Sequence, residues 1–232
     1  MAYVSLTRAE AKTLAKTLLD EKGSLFWTDA QANILFDEAN RMVWREIIKA
    51  NPAYYLKAKE FTWPADTEHQ DIVSDMGVEA VPYKIYGVEH KDSAGNVTQD
   101  NLPTKWKPMQ FQDRSKYLQD ASPYWTPRAR HYCLRGSTFF VAPIPGEALK
   151  CEIYYVLPLT KVASDGTQCL DGSADSFHDA VAYALAWLMN AKQNGQNPTV
   201  TMLWENAKLA ISQHAEDLQV DEPRQVRFLG HY

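Results

Sequence analysis

Residues 176–232 decide the fold, and they read SFHDAVAYALAWLMNAKQNGQNPTVTMLWENAKLAISQHAEDLQVDEPRQVRFLGHY. Apolar residues recur in steps of four and three, which places them on one helical face; a first stripe holds Phe177, Val181, Ala184, Leu188 and Ala191, and a second holds Val200, Leu203, Ala207, Ile211, His214 and Leu218. Asn194, Gly195, Asn197 and Pro198 interrupt the period between them. Glycine suits a helix end and proline a first turn. This stretch therefore predicts a helical hairpin.

The hairpin is followed by a polar tail without any period, residues 221–232. Its arginines and large apolar residues are Arg224, Arg227, Phe228, Leu229 and Tyr232. Chain ends are often disordered, which is one interpretation of the tail. The other is an arm that becomes ordered on a partner, because disordered segments are usually poor in such apolar residues. That arm would bury Phe228 and Leu229 and pair its arginines with acids.

Two more helices are predicted at the start of the chain. Thr7 and Glu10 have the spacing of a capping box, and an amphipathic stripe follows them. A second helix begins at Thr28 and ends at Asn51, because the residue before Pro52 is disfavoured in a helix. Each of the four terminal stripes is narrow, so the helices need one another for stability.

Between these helical ends, prolines separate short aromatic and β-branched runs that are typical of strands. Hairpin turns are predicted at 92–96 and 135–137, a strand at 149–157, and a short helix is an alternative for 109–120. The predicted class is α+β, with a four-helix bundle built from the N- and C-terminal helices, a β-rich insertion and an extended C-terminal arm. The predicted segments are 1–53 and 175–220 for the bundle, 54–174 for the insertion and 221–232 for the arm.

The composition excludes several classes of function. The 232 residues carry a net charge of −5, which argues against a nucleic-acid binder that relies on bulk positive charge. Cys133, Cys151 and Cys169 have neither zinc-site spacing nor the even number of a disulfide framework, so we expect reduced, structural thiols. With no apolar run long enough for a membrane span and no signal peptide, we expect a protein that is made and kept in the cytosol.

Catalytic fingerprints such as GxGxxG, GxxxxGK[ST], HExxH and GxSxG are missing from the sequence, so we expect no enzyme, no cofactor and no metal. His178 with Asp179, Asp175 and His214 leaves two interpretations, a polar bridge between helices or a metal site. The acids Glu216, Asp217, Asp221 and Glu222 are interpreted as a solvated charge run, with a glycosidase pair as the alternative.

Residues 124–131, YWTPRARH, form a local basic and aromatic stretch. Trp125, Arg128 and Arg130 are its candidate contact residues. Arginine beside aromatic rings can hold phosphates or stack on bases, which favours a nucleic-acid contact. A solvated loop entering a strand and a contact between subunits are the alternatives, since arginine and tryptophan are enriched at interfaces.

Several phrases along the chain carry a resemblance to a known family. They are WTD at 27–29 and NP at 51–52 around a long helix, TFFVAPIP at 138–145, the strand with YY at 154–155, FHDAV at 177–181 before an alanine-rich helix, WE at 204–205, and the tail with its separated arginines. In this order the chain resembles the head-to-tail connector (adaptor) proteins of tailed bacteriophages, which form rings beneath the portal of short-tailed phages.

The resemblance implies a non-enzymatic structural protein of the virion, made in the host cytoplasm and located at the head–tail junction. It implies a homo-oligomeric ring, commonly a dodecamer, which binds the portal protein on one side and a tail nozzle or tail tube protein on the other. The arm would bind the portal through Arg224, Arg227, Phe228, Leu229 and Tyr232. DNA would pass through the channel without specific binding, which a net-negative chain favours; no membrane is involved. The alternatives are a virion-associated cell-wall glycosidase and a nucleic-acid-binding module.

Overall fold

A computed structural model describes residues 5–20, 26–91, 105–119, 130–172, 174–193 and 197–219. The chain forms two compact units. One, the helical unit, combines residues up to Tyr55 with those from Leu159 onwards; the other, the β-rich unit, is Leu56–Pro158. Among the described helices, none combines the length and the apolar character that a membrane span requires.

The helical unit contains four α-helices, α1 (Arg8–Leu18), α2 (Asp29–Ala50), α4 (His178–Lys192) and α5 (Pro198–Gln219), in the described ranges. Short 3₁₀ turns lie at Pro52–Tyr55, Cys169–Gly172 and Asp175–Phe177. The capping box predicted for α1 is confirmed, since the backbone N–H of Thr7 donates to the Glu10 carboxylate and that of Glu10 donates to the Thr7 hydroxyl. Thr28 and Gln31 form the same motif at the start of α2. Local sequence therefore sets both helix starts.

The predicted four-helix bundle is wrong, because the helices are arranged around one of their number. Helix α4 packs against α1, α2 and α5, whereas α1 barely contacts α2. Its buried residues occupy almost its whole circumference; they are His178, Ala180, Val181, Ala182, Ala184, Leu185, Ala186, Met189 and Asn190. A bundle helix contributes one stripe to a shared core. Helix α4 instead lies at the centre of the helical unit. The described part of the chain is α+β, with five α-helices and two sheets that have seven strands in total.

Buried polar contacts connect distant parts of the helical unit. Nδ1 of His178, which is fully buried, accepts the backbone N–H of Leu6 at 3.0 Å. Asn40 Oδ1 accepts the N–H of Leu170 at 3.0 Å, and the N–H of Cys169 donates to the carbonyl of Leu6 at 2.9 Å. Because a buried polar group without a partner is costly, these bonds fix the segment around Cys169 on the helices.

The β-rich unit has two sheets. The first has strand order β1–β7–β3, from β1 (Leu56–Trp63), β7 (Leu149–Val156) and β3 (Lys84–Lys91), all antiparallel. The second has order β2–β6–β5–β4, from β2 (His69–Asp71), β6 (Thr138–Ala142), β5 (His131–Arg135) and β4 (Lys107–Pro108). The short helix α3 (Arg114–Gln119) follows a 3₁₀ turn at Phe111–Asp113.

The sequence patterns of this unit are partly confirmed. The strand predicted at 149–157 is β7, and the helix considered for 109–120 includes α3. The turn predicted at 135–137 joins β5 to β6 through Gly136, whose φ of 61° favours glycine. The turn predicted at 92–96 lies outside the described residues.

The core of the β-rich unit lies where its strands turn their apolar faces inwards. Its buried residues are Trp63, Ile72, Met76, Val78, Val88, Trp106, Tyr132, Phe139, Val141, Leu149, Cys151, Ile153 and Tyr155. Alternation along β6 places Phe139 and Val141 in this core and turns Phe140 to the opposite face of the second sheet. An aromatic residue on that outer face therefore needs a cover from elsewhere in the unit.

Candidate functional site

Most of the predicted contact residues fall outside the part of the chain that the structure describes. These are Arg224, Arg227, Phe228, Leu229 and Tyr232 of the arm, with Trp125 and Arg128 of the basic stretch. Their roles stay predictions. Arg130 is the one predicted contact residue that is described.

Arg130 is half-buried in the β-rich unit. Its carbonyl accepts the N–H of Lys107 at 2.8 Å, which connects it to β4. Its Nε lies inside the protein without a hydrogen-bond partner, and burial lowers the pKa of the guanidinium. A side chain held in this way is partly withdrawn from solvent, so it is poorly suited to be the main contact for a phosphate.

The outer face of the second sheet carries a set of side chains that the sequence analysis missed. We call Phe111, Arg114, Arg135 and Phe140 the arginine–aromatic cluster. The guanidinium of Arg135 lies 4.6 Å from the ring centre of Phe111. The guanidinium of Arg114 lies 5.2 Å from Phe111 and 5.1 Å from Phe140. The two rings meet edge to face at 5.1 Å. Aromatic rings attract cations, so each guanidinium is held in position.

The cluster is assembled from three separate elements. Register places Arg135 of β5 opposite Thr138, and Phe140 of β6 opposite Cys133, on one face of the sheet. The turn before α3 supplies Phe111, and the start of α3 supplies Arg114. The alternation of residues along β6 is the sequence signal that could have placed Phe140 on the outer face, where an aromatic side chain needs to be covered. It does not indicate that Phe111 and Arg114 provide the cover.

Two histidines lie beside the cluster. His69 of β2 packs against Phe140 with ring centres 5.6 Å apart. His131 stacks on Tyr117 of α3 at 4.0 Å, and burial together with Lys107 lowers its pKa. A lowered pKa keeps this imidazole neutral near pH 7. His131 therefore adds no positive charge to this face near pH 7.

A second exposed feature lies on α5 of the helical unit. Val200, Trp204 and Ile211 are buried, whereas Met202 and Leu209 are each 56% exposed. Seven residues are about two helical turns, so Met202 and Leu209 lie on the same outward face. Ile34 of α2 is 68% exposed in the same unit. A helix face that contacts only solvent usually carries polar side chains, so these exposed apolar residues are candidates for contact with another molecule.

A groove of about 390 Å³ separates α5 from the start of α4. It is lined by Ser176, Phe177, Asp179, Ala180, Tyr183, Leu203, Asn206, Ala207 and Ala210. Small alanine side chains leave the groove open, and Asp179 and Asn206 give it some polar character. It lacks a converging set of acids or bases, so it fits an apolar side chain of a partner better than a reacting substrate.

His178 is the described member of the pair that the sequence analysis considered as a polar bridge or a metal site. Its Nδ1 is occupied by the N–H of Leu6, and the described residues contain no group of three or more metal-ligating side chains. The side chain of His214, its predicted partner, is not described. The cysteines are free and buried, and burial raises the pKa values of Cys151 and Cys169 to about 12. Such thiols are poor nucleophiles.

Comparison of the chain with models of protein families and with curated proteins finds no match.

Proposed function

We propose that the chain is a head-to-tail adaptor of a tailed bacteriophage, a structural protein whose copies form a ring between the portal and the tail. In this role it binds the portal protein on one side and a tail nozzle or tail tube protein on the other. DNA passes through the ring without specific binding. The proposal rests on the resemblance of the sequence, and the exposed apolar face of α5 supports it.

Among the structural observations, the exposed apolar face of α5 is the one that supports this proposal most directly. Met202 and Leu209 are exposed on a helix that buries Val200, Trp204 and Ile211 on its opposite side, so they are available for contact with another molecule. Because each side chain is already partly buried, covering its exposed part would contribute about half of the roughly 1.5–3 kcal/mol that complete burial of such a side chain provides. Ring assembly from identical copies needs apolar contacts of this kind, repeated from one copy to the next.

Changing the face of α5 tests the self-assembly part of this proposal. We expect Met202→Lys with Leu209→Lys to prevent ring formation, because two charges would have to be buried. Thr201→Lys adds a charge at another exposed position of α5, so it is the matched control and should leave the ring intact. Negative-stain imaging with the portal protein of the same phage measures this. Rings from the double variant would contradict the role of α5.

Deletion of residues 221–232 tests the portal part. We expect the shortened chain to keep its circular dichroism spectrum and to lose the portal in a pull-down, because the arm supplies the apolar and arginine contacts. Full retention of the portal by the shortened chain would show that the arm does not bind it.

A further inference from the structure

The two arginines of the arginine–aromatic cluster differ in their ion pairing within the described residues. Arg114 forms an ion pair with Glu68 at 3.0 Å. Arg135 makes no ion pair with any residue of the described ranges, and it is exposed at the end of β5. Lys107 of β4 is exposed on the same sheet, whereas Lys116 of α3 is already paired with Asp113 at 2.7 Å. The face thus has positive charge available for a partner with acidic groups.

The geometry of the cluster favours carboxylates over a nucleic acid. Bases bind single-strand proteins by stacking on open aromatic faces. Phe111 is only 37% exposed and has a guanidinium within 5.2 Å from each of Arg114 and Arg135, so little of its ring is left for a base. The net charge of −5 repels nucleic acid as well. By contrast, Arg114 already binds the carboxylate of Glu68 in the same place.

The chain itself contains a segment of matching chemistry. Residues 216–222 read EDLQVDE, with four acids, two apolar residues and no basic residue. Their carboxylates are opposite in charge to the exposed side chain of Arg135, and Leu218 and Val220 are apolar like the exposed part of Phe111. The described part of α5 extends to Gln219, so the first four residues of the segment lie on that helix.

We propose that the arginine–aromatic cluster of one copy binds the acidic run 216–222 of a neighbouring copy. This inference rests on the proposed ring, whose subunit contact it specifies. The two surfaces differ, one in the β-rich unit and one at the end of α5, so the contact can repeat head to tail from one copy to the next. A head-to-tail contact generates a ring when the rotation between copies closes, whereas a reciprocal exchange of the two surfaces would generate a two-fold dimer.

A peptide-binding measurement tests this contact. The probe is a fluorescent peptide of residues 213–223, and the receptor is the full chain with Glu216→Gln, Asp217→Asn, Asp221→Asn and Glu222→Gln, so that its own run does not compete. We expect saturable binding by anisotropy. Adding Arg135→Glu should weaken it roughly tenfold or more, because attraction becomes repulsion. Arg45→Glu, at an exposed arginine of α2, is the matched control and should change it by less than about twofold.

Charge exchange makes the test specific. A peptide with Glu216→Lys and Asp217→Lys should bind the Arg135→Glu receptor better than the original receptor. A scrambled peptide of the same composition should bind the original receptor more weakly than the native sequence does. Together these results would support a defined contact between Arg135 and the run.

Three results would overturn the inference. The first is no binding of the native peptide at concentrations up to about 1 mM. The second is an equal loss of peptide affinity from Arg135→Glu and from Arg45→Glu. The third is tighter binding of a DNA duplex of about 30 base pairs than of the peptide, in a way that depends on Arg135. Rings that Arg135→Glu still forms on the portal would leave the proposed adaptor role intact and refute this contact alone. If the unaltered chain did not bind the portal at all, that result would refute the adaptor role instead.

Discussion

The two units of the molecule use polar side chains in opposite ways. In the helical unit, Asn40 and His178 are buried, and each holds the backbone of a segment that is far away in sequence. In the β-rich unit the core is apolar and aromatic, while Arg114 and Arg135 lie on the outer face of the second sheet. The comparison indicates that buried hydrogen bonds fix the position of chain segments in the helical unit, whereas the β-rich unit keeps most of its polar side chains out of its core.

The largest expected effect concerns the aromatic core of the β-rich unit. Trp63 is fully buried, its ring lies 5.8 Å from Phe139 and 6.2 Å from Trp106, and its Nε1 donates to the carbonyl of Thr67. We expect Trp63→Ala to lower the free energy of unfolding by about 3–5 kcal/mol, because it leaves a large cavity. Urea unfolding measures this, with the exposed Thr62→Ala as control. A loss below about 1 kcal/mol would show that this core is not closely packed.

A smaller loss is expected from the buried polar contacts of the helical unit. Asn40→Ala removes the acceptor of the Leu170 N–H and leaves that donor buried. The expected cost is about 1–3 kcal/mol in urea unfolding. Asn206→Ala, an exposed asparagine of α5, is the control. Equal stability of the two variants would contradict the claim that buried hydrogen bonds such as that of Asn40 fix chain segments in the helical unit.

The sequence could predict the features that depend on neighbours along the chain. The Thr7–Glu10 cap, the strand β7 and the hairpin at Gly136 each need only residues a few positions apart. It could not predict that α4 is central, because alanine fits a buried or an exposed face equally well. Ala182 and Ala186 lie away from the predicted stripe, yet they are fully buried.

The candidate surfaces were harder to predict than the elements that carry them. Arg114 and Arg135 come together only when α3 covers the outer face of β5 and β6, which requires the register of the sheet. Asn40 and Leu170 are separated by 130 residues, and neither has a local sequence pattern that indicates the other. Long-range pairing of this kind is set by packing and leaves no periodic signal.

A pH-dependent effect is expected at Asp71, on the turn that leads to the core residue Met76. Hydrogen bonds from the Ser137 side chain and from the N–H groups of Ser74 and Val73 lower its pKa to about 2. Because the pKa is lower in the folded chain, the carboxylate stabilises the fold at pH values above 3.8, which is its pKa in the unfolded chain. This stabilisation is lost as the pH falls through about 2. Asp71→Asn should therefore be less stable than the original chain near pH 7, with the difference shrinking between about pH 4 and 2.

Chemical unfolding at several pH values measures this difference. Asp66→Asn, at an exposed aspartate of the same unit, is the control. A difference between the Asp71→Asn variant and the original chain that stays constant with pH would contradict the role of the carboxylate charge.

The smallest effect concerns the thiols of both units. Because burial raises the pKa values of Cys151 and Cys169 to about 12 and also raises that of Cys133, we expect no reaction with Ellman's reagent in the folded chain at pH 8. All three thiols should react after denaturation in guanidinium. Rapid reaction of one thiol in the folded chain would place that cysteine on an accessible surface.

The most direct test of the adaptor proposal is negative-stain imaging of the full chain mixed with the portal protein of the same phage. The proposal predicts a ring of copies of this chain on one face of the portal, with its axis along the portal channel. Isolated single copies, with the portal left bare when the chain is in excess, would contradict it.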